Sequence, residues 1–251
     1  MKKYYTRVCN FVYGNLSREL VDKKKTLPLN GNKEFSFRQI EIITRDVKKI
    51  IDLKDIKKLH KSLREKVQRD LKIIIKKNKN FSNLNFKENP NIMGILNLTP
   101  DSFSDGGKFN KKKLGLIHAK NLFESGANII DVGGESTRPG SKSINEKDEW
   151  NRIEKTIRDI GKKIPLSLDT RKAVIMSKGI KMGIKLINDI SGLRYDTKTI
   201  NVLKKSKSPF VIHHSQGTPE SMQNNPKYKN ELLDIYDFFE EKIKFLRSKG
   251  I

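Results

Sequence analysis

Apolar positions follow two different rhythms along this chain. In residues 91–251, short runs rich in Ile, Leu and Val alternate with stretches whose apolar residues recur at helical spacing. The runs are Asn91–Leu98, Asn128–Val132, Ile164–Asp169, Lys185–Ile190 and Phe210–His214. The helical stretches cover about 112–126, 146–160, 172–182, 197–205 and 232–247. Strands of 4–8 residues alternating with amphipathic helices predict parallel β/α units with right-handed crossovers. Each unit takes about 32 residues, close to the repeat of a (β/α)8 barrel of about 250 residues. Five units suit either a barrel cut short or an open doubly wound sheet.

Before residue 90 the pattern differs. Phe35–Ile42 alternates enough for a strand. From Val47 the apolar positions Ile50, Ile51, Ile56, Leu59, Leu63, Val67, Leu71 and Ile74 step by 3 and 4, which predicts one helical face. Ser62 with Glu65 fits a capping box opening a second helix. Residues 1–90 are therefore expected to be a small α+β extension, a strand plus amphipathic helices with a solvated lysine face. The boundary is placed at Asn89-Pro90, where a polar stretch gives way to Gly-rich motifs.

Composition narrows the function classes. Lys+Arg number 53 against 29 Asp+Glu, a net charge of +24, which invites a nucleic-acid reading. Of the basic residues 41 are Lys and only 12 Arg, and Ile and Asn are abundant too, so the charge reads as compositional drift and not as an Arg-and-aromatic binding face. No nucleic-acid partner is expected. The single Cys9 excludes an internal disulfide framework and a cysteine-rich metal site. No apolar run approaches the ~20 residues of a membrane span, and a soluble cytoplasmic protein is the expectation.

Each predicted strand ends in something polar: Asn97, Asp131, Asp169, Asn188 and the pair His213-His214. Ligands of β/α folds lie at the carboxyl ends of the strands, and buried carboxylates or amides are costly unless partnered. A ring of them at one rim predicts a shared polar ligand, and carboxylate beside amide suits a flat, nitrogen-rich heterocycle with an amino–oxo edge. Thr99–Gly107 and Gly133–Gly140 add small flexible loops with hydroxyls, backbone N–H groups and Arg138, suited to a diphosphate.

Met93-Gly-Ile-Leu-Asn-Leu-Thr-Pro-Asp-Ser-Phe-Ser-Asp-Gly-Gly107 and Ile130-Asp-Val-Gly-Gly-Glu-Ser-Thr-Arg-Pro-Gly140 resemble the two signature motifs of the dihydropteroate synthase family. Leu168-Asp-Thr170, Ile187-Asn-Asp-Ile-Ser-Gly192 and His214-Ser-Gln-Gly-Thr-Pro219 extend the resemblance over residues 91–251. It implies a TIM barrel that condenses (7,8-dihydropterin-6-yl)methyl diphosphate with 4-aminobenzoate, giving dihydropteroate and diphosphate, with Mg2+ as cofactor and a homodimer as the full-length assembly. Carried over position by position, Asp169, Asn188 and Asp131 bind the pterin, and Thr137 and Arg138 meet the substrate. Asp101 and Arg138 are the candidate catalytic residues. Phe103 and Pro139 shape the aminobenzoate pocket, and Asn97 helps hold Mg2+ on the diphosphate. No Ser/His/Asp or Cys/His arrangement is expected, because an amine nucleophile needs little activation.

The chain departs from that family's pattern in two places. Where the family usually carries Met-His-Met-Gln-Gly this chain has His213-His214-Ser215-Gln216-Gly217. His214 matches the family histidine, and the extra His213 is expected to make packing and solvent contacts rather than form a metal pair. The sixth-strand Asp-Pro-Gly, the seventh-strand Ser-Arg-Lys and a late Arg-x-His have no counterpart, so an incomplete barrel, unstable if made alone, is the expectation. A pterin-binding methyltransferase domain and a catalytically incomplete pterin- or anion-binding fragment are the alternative readings.

Overall fold

The structure is a computed structural model that describes residues 3–77, 91–99, 111–136, 143–217 and 225–251. Backbone contacts divide the chain into two compact units, residues 1–79 and 80–251. The boundary expected at Asn89-Pro90 lies outside the described residues.

The first unit is an antiparallel sheet with helices. It runs β1 (Tyr5–Tyr13), α1 (Gly14–Asp22), β2 (Leu27–Leu29), β3 (Asn32–Ile43), β4 (Lys48–Asp52), a 3-10 turn (Leu53–Lys58) and α2 (Lys61–Ile74). The long central β3 pairs with β1, β2 and β4. Its Phe37, Ile40 and Ile42 share a core cluster with Val67 and Leu71 of α2. The helix expected from Val47 is thus corrected: the chain first makes β4, pairing Ile51 with Ile40 and Ile50 with Glu41. β-branched residues fit a pleated, half-buried surface, and consecutive isoleucines put one on each face. Helical spacing begins only at Lys61. The expected capping box is absent too. His60 is the N-cap without a side-chain cap bond, and Ser62 Oγ lies 3.1 Å from His60 Nδ1. β1 escaped the sequence reading because its alternation breaks at Asn10, which takes a left-handed φ of 57°.

The second unit contains β5 (Met93–Asn97), α3 (Lys111–Glu124), β6 (Ile129–Gly133), α4 (Glu146–Ile160), β7 (Leu166–Asp169), α5 (Ala173–Lys181), β8 (Leu186–Asp189), α6 (Thr199–Ser206), β9 (Phe210–Ile212) and α7 (Glu231–Ser248). All five strands are parallel, in the order β5-β6-β7-β8-β9. A doubly wound sheet reverses its strand order at a switch point. This one advances one strand at a time, as a barrel wall does.

The two faces of the sheet have different jobs. Leu96, Ile130, Val132, Leu168 and Ile187 face the helices and close a core with Ile153, Ile157, Ile175 and Leu203. α5 lies so close to β7 that a Cβ on Gly179 would collide with the Leu168 side chain. Asn145 and Asn230 cap α4 and α7, accepting from Asp148 N at 2.8 Å and Leu233 N at 3.1 Å. The opposite face carries Ile129, Leu186 and Val211, and by the strand period of two it also carries the polar residues at the strand ends. Among the described residues no helix is long and apolar enough to cross a membrane.

Candidate functional site

Register brings the polar residues together. Asn97 pairs with Gly133, Gly133 with Asp169, and Asp169 with Asn188, so one row crosses four strands at their carboxyl ends. Asp131 lies two residues before Gly133 on the same face and pairs with Ile95 and Ser167. Gly133 leaves the middle of the row open. A Cβ there would stand 3.3 Å from Asp169 Oδ2 and 3.4 Å from Asn97 Oδ1.

Hydrogen bonds link part of this cluster. Asn188 Nδ2 donates to Asp131 Oδ2 at 2.8 Å, and His213 Nε2 lies 2.6 Å from Asn188 Oδ1. Asp131 Oδ1 and Ser167 Oγ are both buried, with no third group bonded to either among the described residues. The two residues face each other across β6 and β7, and Ser167 bears on the Asp131 carboxyl.

The electrostatics agree. Burial, with the nearby Asp131, Glu149, Asp189 and Glu135 charges, pushes the Asp169 carboxyl up to about 8. Burial also raises Asp131, although hydrogen bonds from Ser167 and from the Asn188 amide favour its charged form and offset part of the rise. Asp169 thus holds a proton at neutral pH until a ligand supplies donors. Asp189 is raised by burial as well, but its oxygens accept from Ser191 N at 2.8 Å and Leu193 N at 3.1 Å and shape the turn after β8.

Of the residues singled out from sequence, Asn97, Asp131, Asp169 and Asn188 converge on this face. Asp101, Phe103, Thr137, Arg138 and Pro139 lie outside the described residues. The reading of His213 as packing and solvent contact is corrected: alternation returns it to the face of Val211, where it meets the Asn188 carbonyl. His214 packs on α7, edge-on to Phe238 with ring centres 4.7 Å apart.

The sequence reading missed an ion network behind the row. Glu135 accepts from Arg171 Nε at 2.9 Å, Lys172 Nζ at 3.0 Å and Ile144 N at 3.0 Å. Glu149 accepts from Lys172 Nζ at 2.6 Å and Thr170 Oγ1 at 2.5 Å. Arg171 lies over the Tyr195 ring, 4.0 Å from its centre. Two carboxylates and two cations balance, and all four are buried. Burial raises the Glu135 carboxyl, but Arg171, the Ile144 N–H and Lys172 outweigh it and hold it below its usual value. The available signal was Glu149 itself, which falls on the Ile153–Ile157 stripe of α4.

Comparison with known proteins places this geometry. Residues 93–251 match the family described as pterin binding enzyme. The dihydropteroate synthase of Bacillus subtilis (strain 168) is 40% identical over 172 residues, covering 68% of this chain and 58% of the relative. That of Synechocystis sp. is 37% identical over 162 residues, covering 64% and 56%. Among solved structures, Yersinia pestis dihydropteroate synthase with a sulfonamide drug complex superposes with a TM-score of 0.62 at 37% identity, covering 69% of this chain and 64% of that one. The Xanthomonas albilineans enzyme in complex with 7,8-dihydropteroate gives 0.56 at 28% identity, covering 65% and 57%. The chain thus spans under three fifths of the length of those curated relatives. Its five β/α units are those of a TIM barrel. The family match extends from the first strand of the parallel sheet to the last helix and contains every residue of the polar row, so this chain belongs to the family of pterin-binding enzymes.

Proposed function

We propose that this protein acts as a dihydropteroate synthase and that residues 91–251 carry its pterin site. The observation that carries the proposal is the row Asn97–Gly133–Asp169–Asn188 with Asp131 beneath it. Its two carboxylates and two amides suit the amino–oxo edge of a pterin. Relatives solved with 4-aminobenzoic acid and with 7,8-dihydropteroate support the choice of substrates.

In the reaction the 4-aminobenzoate nitrogen attacks the methylene carbon of (7,8-dihydropterin-6-yl)methyl diphosphate. The carbon–oxygen bond breaks, diphosphate leaves with the electron pair, and the amine loses a proton. Asp169 and Asn188 hold the heterocycle, with Asp131 fixing Asn188 from behind. Thr137, Arg138 and Asp101 would meet the diphosphate end, and Phe103 and Pro139 would line the aminobenzoate side. Among the described residues no three His, Cys, Asp or Glu gather as a metal site. Asn97 is exposed and its amide oxygen would suit Mg2+, an ion that usually keeps several waters and binds through few protein oxygens together with substrate phosphates. Bound there, it would neutralise the departing diphosphate.

Gly133→Ala tests the placement. The added methyl must displace Asp169 Oδ2 or Asn97 by a few tenths of an ångström, and about tenfold weaker pterin binding by calorimetry is expected, equivalent to about 1.4 kcal/mol. The melting temperature should move little. Unchanged affinity would put the pterin elsewhere.

A further inference from the structure

We propose that His213 is a positioning residue of this site: its Nε2–H fixes the Asn188 amide with nitrogen toward Asp131, so that the amide is held in one orientation with an Nδ2 hydrogen available to the ligand. The proposal deepens the pterin reading and takes its ligand from it.

The two ends of an asparagine amide have the same shape, and only their partners decide which way it faces. A carboxylate can only accept, so the nitrogen of Asn188 faces Asp131 Oδ2 at 2.8 Å. That leaves Oδ1 toward His213, 2.6 Å from Nε2, and the imidazole nitrogen must carry the hydrogen. Both bonds run in one direction, from His213 through Asn188 to Asp131, and bonds so aligned polarise one another.

The location argues that this contact belongs to the site. Asn188 pairs with Val211 across β8 and β9, and His213 follows Val211 by one full strand period, on the face away from the helices. Nδ2 carries two hydrogens and Asp131 takes one of them, so the other is left to face a ligand. Held this way, Asn188 presents its second Nδ2 hydrogen to an acceptor on the heterocycle, an oxo group or a bare ring nitrogen, while Asp169 takes the donors. Without His213 the amide loses the donor that anchors its oxygen, and its orientation rests on Asp131 alone.

A double-mutant cycle separates action through Asn188 from direct contact. His213→Met removes the donor at similar bulk and is expected to weaken dihydropterin binding about tenfold by calorimetry. His213→Gln, which can still donate to Oδ1, should restore most of the affinity. In an Asn188→Ala background His213→Met should change affinity by less than about twofold. An equal loss in both backgrounds, or none in either, would overturn the proposal. A ligand-free readout is the 15N spectrum of the imidazole, expected to show a protonated Nε2 in the unsubstituted protein and loss of that preference in Asn188→Ala. A bare Nε2 would overturn the proposal even if pterin binds. Failure of the unsubstituted protein to bind pterin, with Nε2 protonated, would sink the pterin reading and leave the positioning role standing.

Discussion

Asp169→Ala is expected to remove measurable pterin binding, a loss of at least about a hundredfold. A hydrogen bond to a charged group is worth up to about 3 kcal/mol, and two decades of affinity correspond to about 2.7 kcal/mol. The substitution leaves the ligand's donors without the carboxylate that accepts from them. The pH dependence is more diagnostic. In the unliganded site Asp169 holds its proton up to about 8. A heterocycle that donates N–H groups favours the carboxylate, so below pH 8 binding must expel a proton and above it need not. Apparent affinity should therefore fall by up to tenfold per pH unit below about 8 and level off above it. Calorimetry in buffers of different ionisation enthalpy would show the proton release. Asp169→Asn, which cannot titrate, should flatten the profile. A slope surviving in that variant would assign the proton to another group.

Lys172→Met should be the most destabilising conservative-volume change in the second unit. Its ammonium sits between Glu135 and Glu149, and Glu149 has no exposed surface. Removing one partner of a buried pair leaves uncompensated charge and costs about 3–5 kcal/mol. At 2–4 °C per kcal/mol for a chain of this size, the melting temperature should fall by roughly 6–20 °C. Adding Glu149→Gln should recover part of the loss, because the stranded charge goes with it. A fall of under about 2 °C would mean that water reaches the network. The same substitution links stability to the site. Glu149 and Glu135 already raise Asp169, and without Lys172 their charges act more strongly. Any binding variant of Lys172 should therefore show its pH midpoint moved upward.

Much of this was legible in the residues because period and polarity agreed. Each of the five parallel strands is a short apolar run, and α4, with its asparagine cap and Ile153–Ile157 stripe, fell on 146–160 in both readings. The polar row could be foreseen because strand ends sit at one rim, although its mutual pairing needed the register. The first unit was harder. An antiparallel strand carrying consecutive isoleucines at 50 and 51 mimics helical spacing over one turn, and an asparagine with a left-handed φ hides the alternation of β1. His213 was misjudged because sequence shows that neighbouring strand residues face apart but not which of two histidines turns inward. The network of Glu135, Glu149, Arg171 and Lys172 was missed for a general reason, although Glu149 on the apolar stripe of α4 hinted at it. Charges in sequence are read as solvated, and only packing shows that these four neutralise one another out of water.

The most direct test of the central claim is diphosphate release by the purified protein given (7,8-dihydropterin-6-yl)methyl diphosphate and Mg2+, with and without 4-aminobenzoate. Stoichiometric diphosphate and dihydropteroate, formed only when both substrates are present and lost in Asp169→Ala, is the predicted result. Tight pterin binding with no diphosphate released under any condition would contradict it, and would leave a protein that holds the heterocycle without transferring it.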